Sequence, residues 1–332
     1  MKKILFLTNR FMNIYLDIIH EMQIQGYDVT YIEDQAMPDD PYLIRNKDHT
    51  ESEYEDREQY FNDYWKSKID NDVSKWSFDC LFVIEGFSVS NYLIEKLMEY
   101  NPNIKKILYI YDRTFGNYRF DLLFHYFDGI YTFDIFDSKY YNINHLPIYW
   151  VPCENYGKTK YLIFGFATYQ GNRYNIFRKI KRMVATMEKS SFIKVYVQPY
   201  REGVFKSLFR KIMGKNLFLK LDKDLVSDKT LPPDDFRKMI SNSDIILDTH
   251  NDFQDGMTAR FMWALGAGKK IITTNKSVVH YKFYDPNNIC IIDNNVDVPS
   301  SFLLKDNKIK TDINTDIQKY RIDNWLSRML NA

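Results

Sequence analysis

Cysteine is scarce in this sequence, and long apolar runs are missing. The three cysteines, Cys80, Cys153 and Cys290, lie far apart and form no C-x-x-C pair. An odd, scattered set argues against a disulfide framework and a zinc site, and reduced thiols fit a cytoplasmic protein. No stretch approaches the ~20 apolar residues of a membrane span. The apolar run in the opening MKKILFLTNRF is too short for a signal peptide and predicts a buried strand instead.

An excess of charge of one sign is also absent. The chain carries 45 Lys and Arg against 44 Asp and Glu, a formal net charge of +1, which gives no global attraction to nucleic acid. No glycine follows the first strand in LTNRFMNIYL, so the G-x-G-x-x-G loop of an NAD-dependent oxidoreductase is excluded. No metal-binding constellation of His, Cys, Asp and Glu appears in the sequence either. We therefore expect no metal, no cofactor and no nucleic-acid partner.

The sequence does contain a regular alternation of strand and helix patterns. Short apolar runs predict strands at 4–7, 29–32, 80–85, 107–111 and 129–133, and again at 161–167, 192–197, 244–248, 270–274 and 288–292. Apolar residues at helical spacing lie between them, as at Tyr15, Ile18, Ile19 and Met22. Such alternation is typical of parallel, doubly wound α/β sheets.

This rhythm breaks at Pro152 and Gly157, where we place a domain boundary. The prediction is an N-terminal Rossmann-like domain at 1–153, a C-terminal Rossmann-like domain at 158–310 and a terminal helix at 313–330. The apolar face of that helix either covers the second sheet or crosses back to the first domain. Two such domains leave a cleft at the carboxyl ends of their strands, where open α/β sheets bind ligands.

The most informative segment is SDIILDTHNDFQDGMTARFMWALGAGKKIITTN at 243–275. In it a buried strand is followed by a polar loop, and a helix begins near Met257 and Thr258. The glycine before that helix, Gly256, lets a ligand approach the backbone, and the free N–H groups of a helix start favour phosphate. Thr258 would add a hydroxyl donor, and Arg260 a fork of donors for a diphosphate. An ordinary glycine-containing loop with a surface arginine is the alternative.

This segment resembles the donor-binding signature of GT-B glycosyltransferases, especially enzymes of bacterial capsule, O-antigen and lipopolysaccharide synthesis. ARFMWALGAGKKIITTN looks like their R-x-x-E-A-L-G-A-G-K-x-x-I-T-T-N pattern, and GNRYN at 171–175 and FYDPNNICIID at 283–293 extend the similarity. The resemblance implies two Rossmann-like domains with a nucleotide-sugar donor bound mainly in the C-terminal half. It also implies metal-independent transfer of the sugar to a bacterial surface glycan or lipid-linked acceptor.

One departure from the family pattern concerns a glutamate before the ALGAG run, which holds the donor ribose in many of these enzymes. Trp263 stands in its place, and Asp255 lies eight residues earlier, where retaining members carry their first glutamate. Trp263 is therefore either a change at the ribose site or a packing residue of the helix.

The resemblance and the strand ends together predict a donor site. Its residues are Arg173, His250, Asp255, Gly256, Met257, Thr258, Arg260 and Asp293. In the resembling enzymes the loop before Arg173 faces the donor diphosphate, which a basic residue neutralises. The alternatives are a solvated arginine at a helix start, a structural histidine at His250 and a polar strand end at Asp293.

Two acids at strand ends are the catalytic candidates of the N-terminal half. Glu85 ends LFVIE and Asp112 follows ILYIY, and a carboxylate there would take the proton of an acceptor hydroxyl in an inverting transferase. The alternatives are an Asp112–Arg113 ion pair and a helix-start acid at Glu85. Asp134 and Asp137 flank another strand end and rank below these two.

A basic amphipathic segment, REGVFKSLFRKIMGK at 201–215, suits peripheral contact with an anionic bilayer, and a domain helix with a solvated basic face is the alternative. We therefore expect a cytoplasmic protein, either free or on the inner face of the plasma membrane. Aromatic side chains at 54–65 either stack on acceptor sugars or belong to the core. The competing functions are a non-catalytic, transferase-like partner subunit and a nucleotide-sugar 2-epimerase with the same fold.

Overall fold

The computed structural model describes residues 1–43, 49–70, 75–153, 158–197, 221–251, 253–304 and 315–331. Contacts within the chain divide it into two compact units. Unit 1 is Met1–Tyr149, Asp252–Met257 and Lys319–Ala332, and unit 2 is Trp150–Asn251 and Thr258–Gln318. Unit 1 therefore includes a short piece of the polar loop that precedes the ALGAG helix in sequence.

Unit 1 is built on a parallel sheet of six strands. They are β1 (Lys3–Thr8), β2 (Asp28–Glu33), β3 (Cys80–Ile84), β4 (Lys105–Ile110), β5 (Gly129–Thr132) and β6 (Asn144–His145). Their spatial order is β2-β1-β3-β4-β5-β6, so the direction of winding reverses between β1 and β3. Every residue of β3, with the sequence CLFVI, is buried, as expected for an inner strand of a sheet covered on both faces.

Helices connect the strands of this sheet. They are α1 (Ile14–Ile24), α2 (Glu51–Ile69), α3 (Asn91–Tyr100) and α4 (Ile135–Tyr141). A capping box starts α2: the Thr50 side chain accepts from the Glu53 backbone N–H, and the Glu53 carboxylate accepts from the Thr50 N–H. The aromatic residues of α2 divide between core and surface, because Phe61 and Trp65 are buried while Tyr60 is 49% exposed.

Unit 2 is built on a second parallel sheet of six strands. They are β7 (Tyr161–Thr168), β8 (Phe192–Tyr196), β9 (Val226–Ser227), β10 (Ser243–Asp248), β11 (Lys270–Thr273) and β12 (Ile289–Ile291). The spatial order is β12-β11-β10-β7-β8-β9. Counted along the chain this is the 3-2-1-4-5-6 order of a Rossmann sheet, with the reversal between β7 and β10.

The helices of unit 2 are α5 (Arg173–Met183), α6 (Pro233–Ser241), α7 (Ala259–Gly266), α8 (Ser300–Leu304) and α9 (Thr315–Gln318). The end of α7 needs glycine, because a Cβ on Gly266 would overlap the Trp150 ring. Trp263 on the same helix is buried, with its ring edge-on to Phe236 at 6.0 Å. Trp263 is therefore a packing residue of α7.

The chain ends in α10 (Ile322–Leu330), which belongs to unit 1. Trp325 anchors the helix: its ring lies 4.8 Å from that of Tyr109, and its indole N–H donates to the Pro147 carbonyl at 3.1 Å. The buried face of α10 thus packs on the strands of the first sheet. Removing an aromatic ring of this kind from a core costs about 3–5 kcal/mol.

The fold class predicted from the sequence is confirmed, since the chain has two six-stranded parallel sheets with flanking helices. The basic segment 201–215 lies outside the described residues. In the described part of the chain, no helix is both long and apolar enough to cross a membrane.

Candidate functional site

The carboxyl edge of the unit 2 sheet is the candidate ligand site, because open α/β sheets bind ligands where the strand order reverses. The reversal lies between β7 and β10, so the residues directly after these strands, 169–172 and 249–251, flank it. The loops after β11 and β12 lie along the same edge, since all strands of the sheet are parallel.

A buried carboxylate, Asp248, organises this edge. One of its oxygens accepts from the Thr258 hydroxyl at 2.7 Å and from Arg260 Nε at 2.9 Å. The other oxygen accepts from the Thr273 hydroxyl at 3.1 Å. Asp248 thus connects the ends of β10 and β11 to the start of α7, and its charge is compensated by Arg260.

Arg260, which was predicted to bind the donor diphosphate, forms hydrogen bonds with groups of the unit 2 sheet. Besides Asp248, its guanidinium donates to the Phe166 carbonyl at 2.5 Å and to the Thr249 carbonyl at 3.1 Å. Three of the five N–H groups of an arginine are thereby engaged. The side chain links β7, β10 and α7, and contact of its remaining N–H groups with a donor stays a prediction.

Thr258 is the N-cap of α7. Its side chain accepts from the Phe261 backbone N–H at 3.1 Å, and its hydroxyl hydrogen goes to Asp248. The sequence suggested this hydroxyl as a donor to a ligand, but the geometry gives its single hydrogen to a carboxylate. The threonine therefore fixes the helix start instead of presenting a hydrogen to solvent.

Three other predicted residues also lie on this edge. Arg173 is the first residue of α5 and donates to the Thr168 carbonyl and the Gln170 side chain at 3.4 Å each. His250 Nδ1 lies 2.8 Å from the Thr274 hydroxyl. The Asp293 carboxylate accepts from the Asn295 N–H in the turn after β12.

A side-chain bond joins two of these loops. The Asn172 amide donates to Asn294 at 2.7 Å, which holds the start of α5 against the turn after β12. The start of α5 has no side-chain cap, so the amides of its first turn are not bound by the side chain of Asn172.

The environment of Gly256 differs from the prediction. Its N–H donates to the Asp134 carboxylate at 3.3 Å, and the Asp255 N–H donates to the same oxygen at 2.7 Å. A Cβ on Gly256 would overlap the Phe133 ring. The glycine therefore allows close packing of an aromatic ring, and a carboxylate occupies the amides that were predicted to meet a phosphate. The next residue, Met257, is fully buried.

The catalytic candidate Asp112 lies among charged and polar groups of unit 1. Its carboxylate accepts from the Gln254 side-chain amide at 2.5 Å. Its neighbour Arg113 donates to the Phe253 carbonyl at 3.2 Å and pairs with Asp255 at 3.4 Å. Arg113 thus has an ion-pair partner from the 253–256 piece, and Asp112 remains half-buried.

Glu85, the second catalytic candidate, is buried at the end of β3 with a positive φ of 71°. One carboxyl oxygen accepts from the Tyr111 N–H at 2.6 Å, while the other has no hydrogen-bond partner among the described residues. Burial raises the pKa of Glu85 well above its ordinary value, and the charge of Asp112 raises it further. A carboxyl buried away from solvent is poorly placed to reach an acceptor hydroxyl, so its burial argues against Glu85 as the base.

Sequence reasoning missed the role of three buried aspartates in unit 1. Asp34 accepts from the N–H groups of Gly86, Phe87 and Ser88 at 2.7–3.0 Å. Asp134 caps α4 through Phe136 and Asp137, in addition to its bonds with the 255–256 amides. The only sequence signal was their position after apolar strands, at YIED and YTFD.

Asp137 is the third of these aspartates, and it accepts from the N–H groups of Thr114 and Phe115 at 2.5 and 3.1 Å. Burial raises the pKa of Asp137 to about 6, against the opposing effect of these two hydrogen bonds. The three buried carboxylates therefore hold the loops after β3 and β4 and the 255–256 piece by their backbone amides.

Comparison with known proteins identifies the fold. No family model and no curated protein matches the sequence. Among solved structures, the N-terminal domain of a trehalose-6-phosphate phosphatase from Candida albicans has a TM-score of 0.61 at 11% identity, covering 98% of this chain and 97% of its own. A sucrose-phosphate synthase from Thermosynechococcus elongatus scores 0.53 at 12% identity, covering 100% and 97%.

A UDP-GlcNAc 2-epimerase from Methanocaldococcus jannaschii scores 0.52 at 12% identity, with coverage of 100% of this chain and 99% of its own. Likeness at these identities establishes architecture and leaves the chemistry to the residues of the site. The chain therefore has the two-unit α/β fold that GT-B glycosyltransferases and this epimerase share.

Proposed function

We propose that the protein is a glycosyltransferase that moves a sugar from a nucleotide-sugar donor to a bacterial surface glycan or lipid-linked acceptor, without a metal ion. The observation that carries the proposal is the Rossmann order of the unit 2 sheet, with polar loops beside the reversal between β7 and β10. The resemblance of the 243–275 segment to donor-binding signatures supports the same assignment.

The donor diphosphate is proposed to bind at the start of α5. Arg173 stands at the first helical position, and the first turn, which has no side-chain cap, lies at the positive end of the helix dipole. His250 and Asp293, which follow β10 and β12, are proposed to contact the rest of the donor. In metal-independent transfer, such cations and dipoles stabilise the leaving diphosphate.

Asp112 is proposed as the group that takes the proton from the acceptor hydroxyl. It lies at the end of β4 and is partly accessible, whereas Glu85 is buried. A positioned base of this kind contributes about 10²–10⁴-fold to the rate. The resulting alkoxide character at the acceptor oxygen would drive attack on the anomeric carbon.

Calorimetric titration with UDP, GDP, dTDP and CMP tests the donor site. We expect one nucleotide to bind the wild type and to bind Arg173→Ala about tenfold more weakly, the loss of roughly one charge-assisted hydrogen bond. Arg182→Ala, an exposed arginine near the other end of α5, is the matched control and should bind as the wild type does. No binding by any of the four nucleotides would contradict the proposal and favour a non-catalytic partner subunit.

A nucleotide-sugar 2-epimerase is the second candidate, because the epimerase from M. jannaschii shares the fold over the whole chain. The two activities separate in the absence of an acceptor. An epimerase inverts C2 of UDP-GlcNAc on its own, whereas a transferase leaves the sugar configuration unchanged. Proton NMR of UDP-GlcNAc incubated with the protein distinguishes these outcomes.

A further inference from the structure

Three exposed aromatic rings lie together at the carboxyl edge of unit 1. Phe115 follows β4, and Phe136 and Tyr140 lie one turn apart on α4; they are 40%, 36% and 59% exposed. The ring centroids of Phe115 and Tyr140 are 4.5 Å apart, and those of Phe136 and Tyr140 are 5.9 Å apart and stacked. We call these three side chains the aromatic platform.

The platform is held in place from both sides. Asp137 binds the N–H groups of Thr114 and Phe115, which fixes the Phe115 loop beside α4. The Arg113 guanidinium lies 4.3 Å from the centre of the Phe136 ring, and the same arginine pairs with Asp255. The rings are therefore pre-organised, so a ligand meets a small entropic cost on binding them.

The size of the platform limits what binds it. With about 200 Å² for a whole aromatic side chain, the exposed fractions leave roughly 250–300 Å² of ring surface. A stable protein partner needs about 800 Å² on each side, which is well beyond this patch. One or two sugar rings match the area.

The charges beside the platform point the same way. From the loop after β4 to the end of α4, residues 111–141 carry five Asp against three Lys and Arg, so these segments have no excess of bases. An anionic bilayer prefers an apolar face bordered by an excess of Lys and Arg. A neutral ligand with both an apolar face and hydroxyl groups, as a pyranose has, fits rings that lie beside the Arg113 guanidinium.

We propose that the aromatic platform binds a pyranose ring of the acceptor glycan, with the apolar C–H face of the sugar on Phe136 and Tyr140. Hydroxyl groups of the same glycan reach Asp112 and Arg113 at the rim. This subsite rests on the proposed transferase function for its biological role, although sugar binding itself requires no donor.

Saturation-transfer NMR with neutral trisaccharides of glucose, galactose, mannose and N-acetylglucosamine tests the subsite without nucleotide. We expect one of them to bind the wild type, and to bind Phe136→Ala and Tyr140→Ala at least tenfold more weakly. Tyr60→Ala is the control, since Tyr60 is an exposed aromatic residue on α2 of the same unit. Thermal unfolding by circular dichroism checks that the variants fold, and Tyr140→Ala removes a mostly exposed ring.

Two results would overturn the subsite. One is a failure of the saccharide test, which means either no saccharide signal with the wild type or equal saccharide affinity in the wild type and Tyr140→Ala. The other is co-sedimentation of the wild type, but not of Tyr140→Ala, with phosphatidylglycerol vesicles, which would make the platform a membrane contact. Nucleotide titration of the same variants separates this failure from that of the transferase proposal, because loss of the platform should leave nucleotide affinity unchanged.

Discussion

The carboxyl edges of the two sheets differ at two helix starts, that of α4 in unit 1 and that of α5 in unit 2. In unit 1 the start of α4 is capped by Asp134, and Asp34 and Asp137 bind the amides of the loops after β3 and β4. In unit 2 the start of α5 has no side-chain cap, and the half-buried Arg173 stands at its first position. Backbone amides that already bind carboxylates are not available to a phosphate. A helix start without a side-chain cap, beside an arginine, favours an anion.

This difference assigns separate tasks to the two edges. The unit 2 edge suits the anionic part of a nucleotide-sugar donor. The unit 1 edge, with partly accessible Asp112 and the aromatic platform, suits a neutral sugar acceptor.

Asp112→Asn should lower transferase turnover by about 10²–10⁴-fold, because an amide cannot take the proton of the acceptor hydroxyl. Nucleotide affinity should stay unchanged, since the donor is assigned to unit 2. Steady-state rates with saturating donor, compared with the exposed-acid control Asp63→Asn, measure the effect. Wild-type turnover in this variant would show that Asp112 is not the base.

Asp134→Ala should destabilise the protein by about 3–4 kcal/mol, because it removes the carboxylate that accepts from the Asp255 and Gly256 amides and uncaps α4. Urea unfolding gives the free energy. Thr50→Ala is the control, since it removes a helix cap alone and should cost about 1 kcal/mol. Equal losses of unfolding free energy in the two variants would mean that the hydrogen bonds between Asp134 and the 255–256 amides add nothing to stability.

Gly256→Ala should destabilise the protein by about 1–3 kcal/mol, the usual cost of overpacking, because the new methyl group meets the Phe133 ring. The double variant Gly256→Ala/Phe133→Leu should recover part of the loss, since contacting residues couple in a double-mutant cycle. Additive effects in that cycle would show that the ring and the glycine do not pack together in solution.

The pH dependence of stability should reflect Asp137. Its pKa is raised from 3.8 to about 6, chiefly by burial, so the folded state binds this proton more tightly than the unfolded state does. The free energy of unfolding therefore falls as pH rises between these two values, and Asp137→Asn should lack that fall. Urea midpoints of both proteins at about pH 4 and about pH 7 check it, and parallel changes would contradict a raised pKa.

The fold was predictable from sequence because it depends on local patterns. Buried runs such as CLFVI and DIILD form inner strands of parallel sheets, and polar residues after them mark the carboxyl edge. The ALGAG run places its glycines at the end of a helix: α7 ends at Gly266, and Gly268 follows with a φ of +66°.

The partners of the site residues were much less predictable, because they come from distant parts of the chain. Arg260 donates to a carbonyl 94 residues away, and the Gly256 amide binds a carboxylate 122 residues away. A sequence window displays an arginine and a glycine at a helix start, which equally suits a phosphate site and a packed junction. Tertiary contacts show a structural role for both residues, and contact of Arg260 with a donor stays a prediction.

Amide hydrogen exchange with and without inorganic pyrophosphate tests the difference between the two edges most directly. We expect pyrophosphate to slow exchange in the 169–176 segment, where the start of α5 would meet the anion, and to change exchange little in unit 1. Slower exchange at Gly86–Ser88, Thr114–Phe115 or Asp255–Gly256, with none at 169–176, would contradict it, because the amides held by aspartates would then be the anion site.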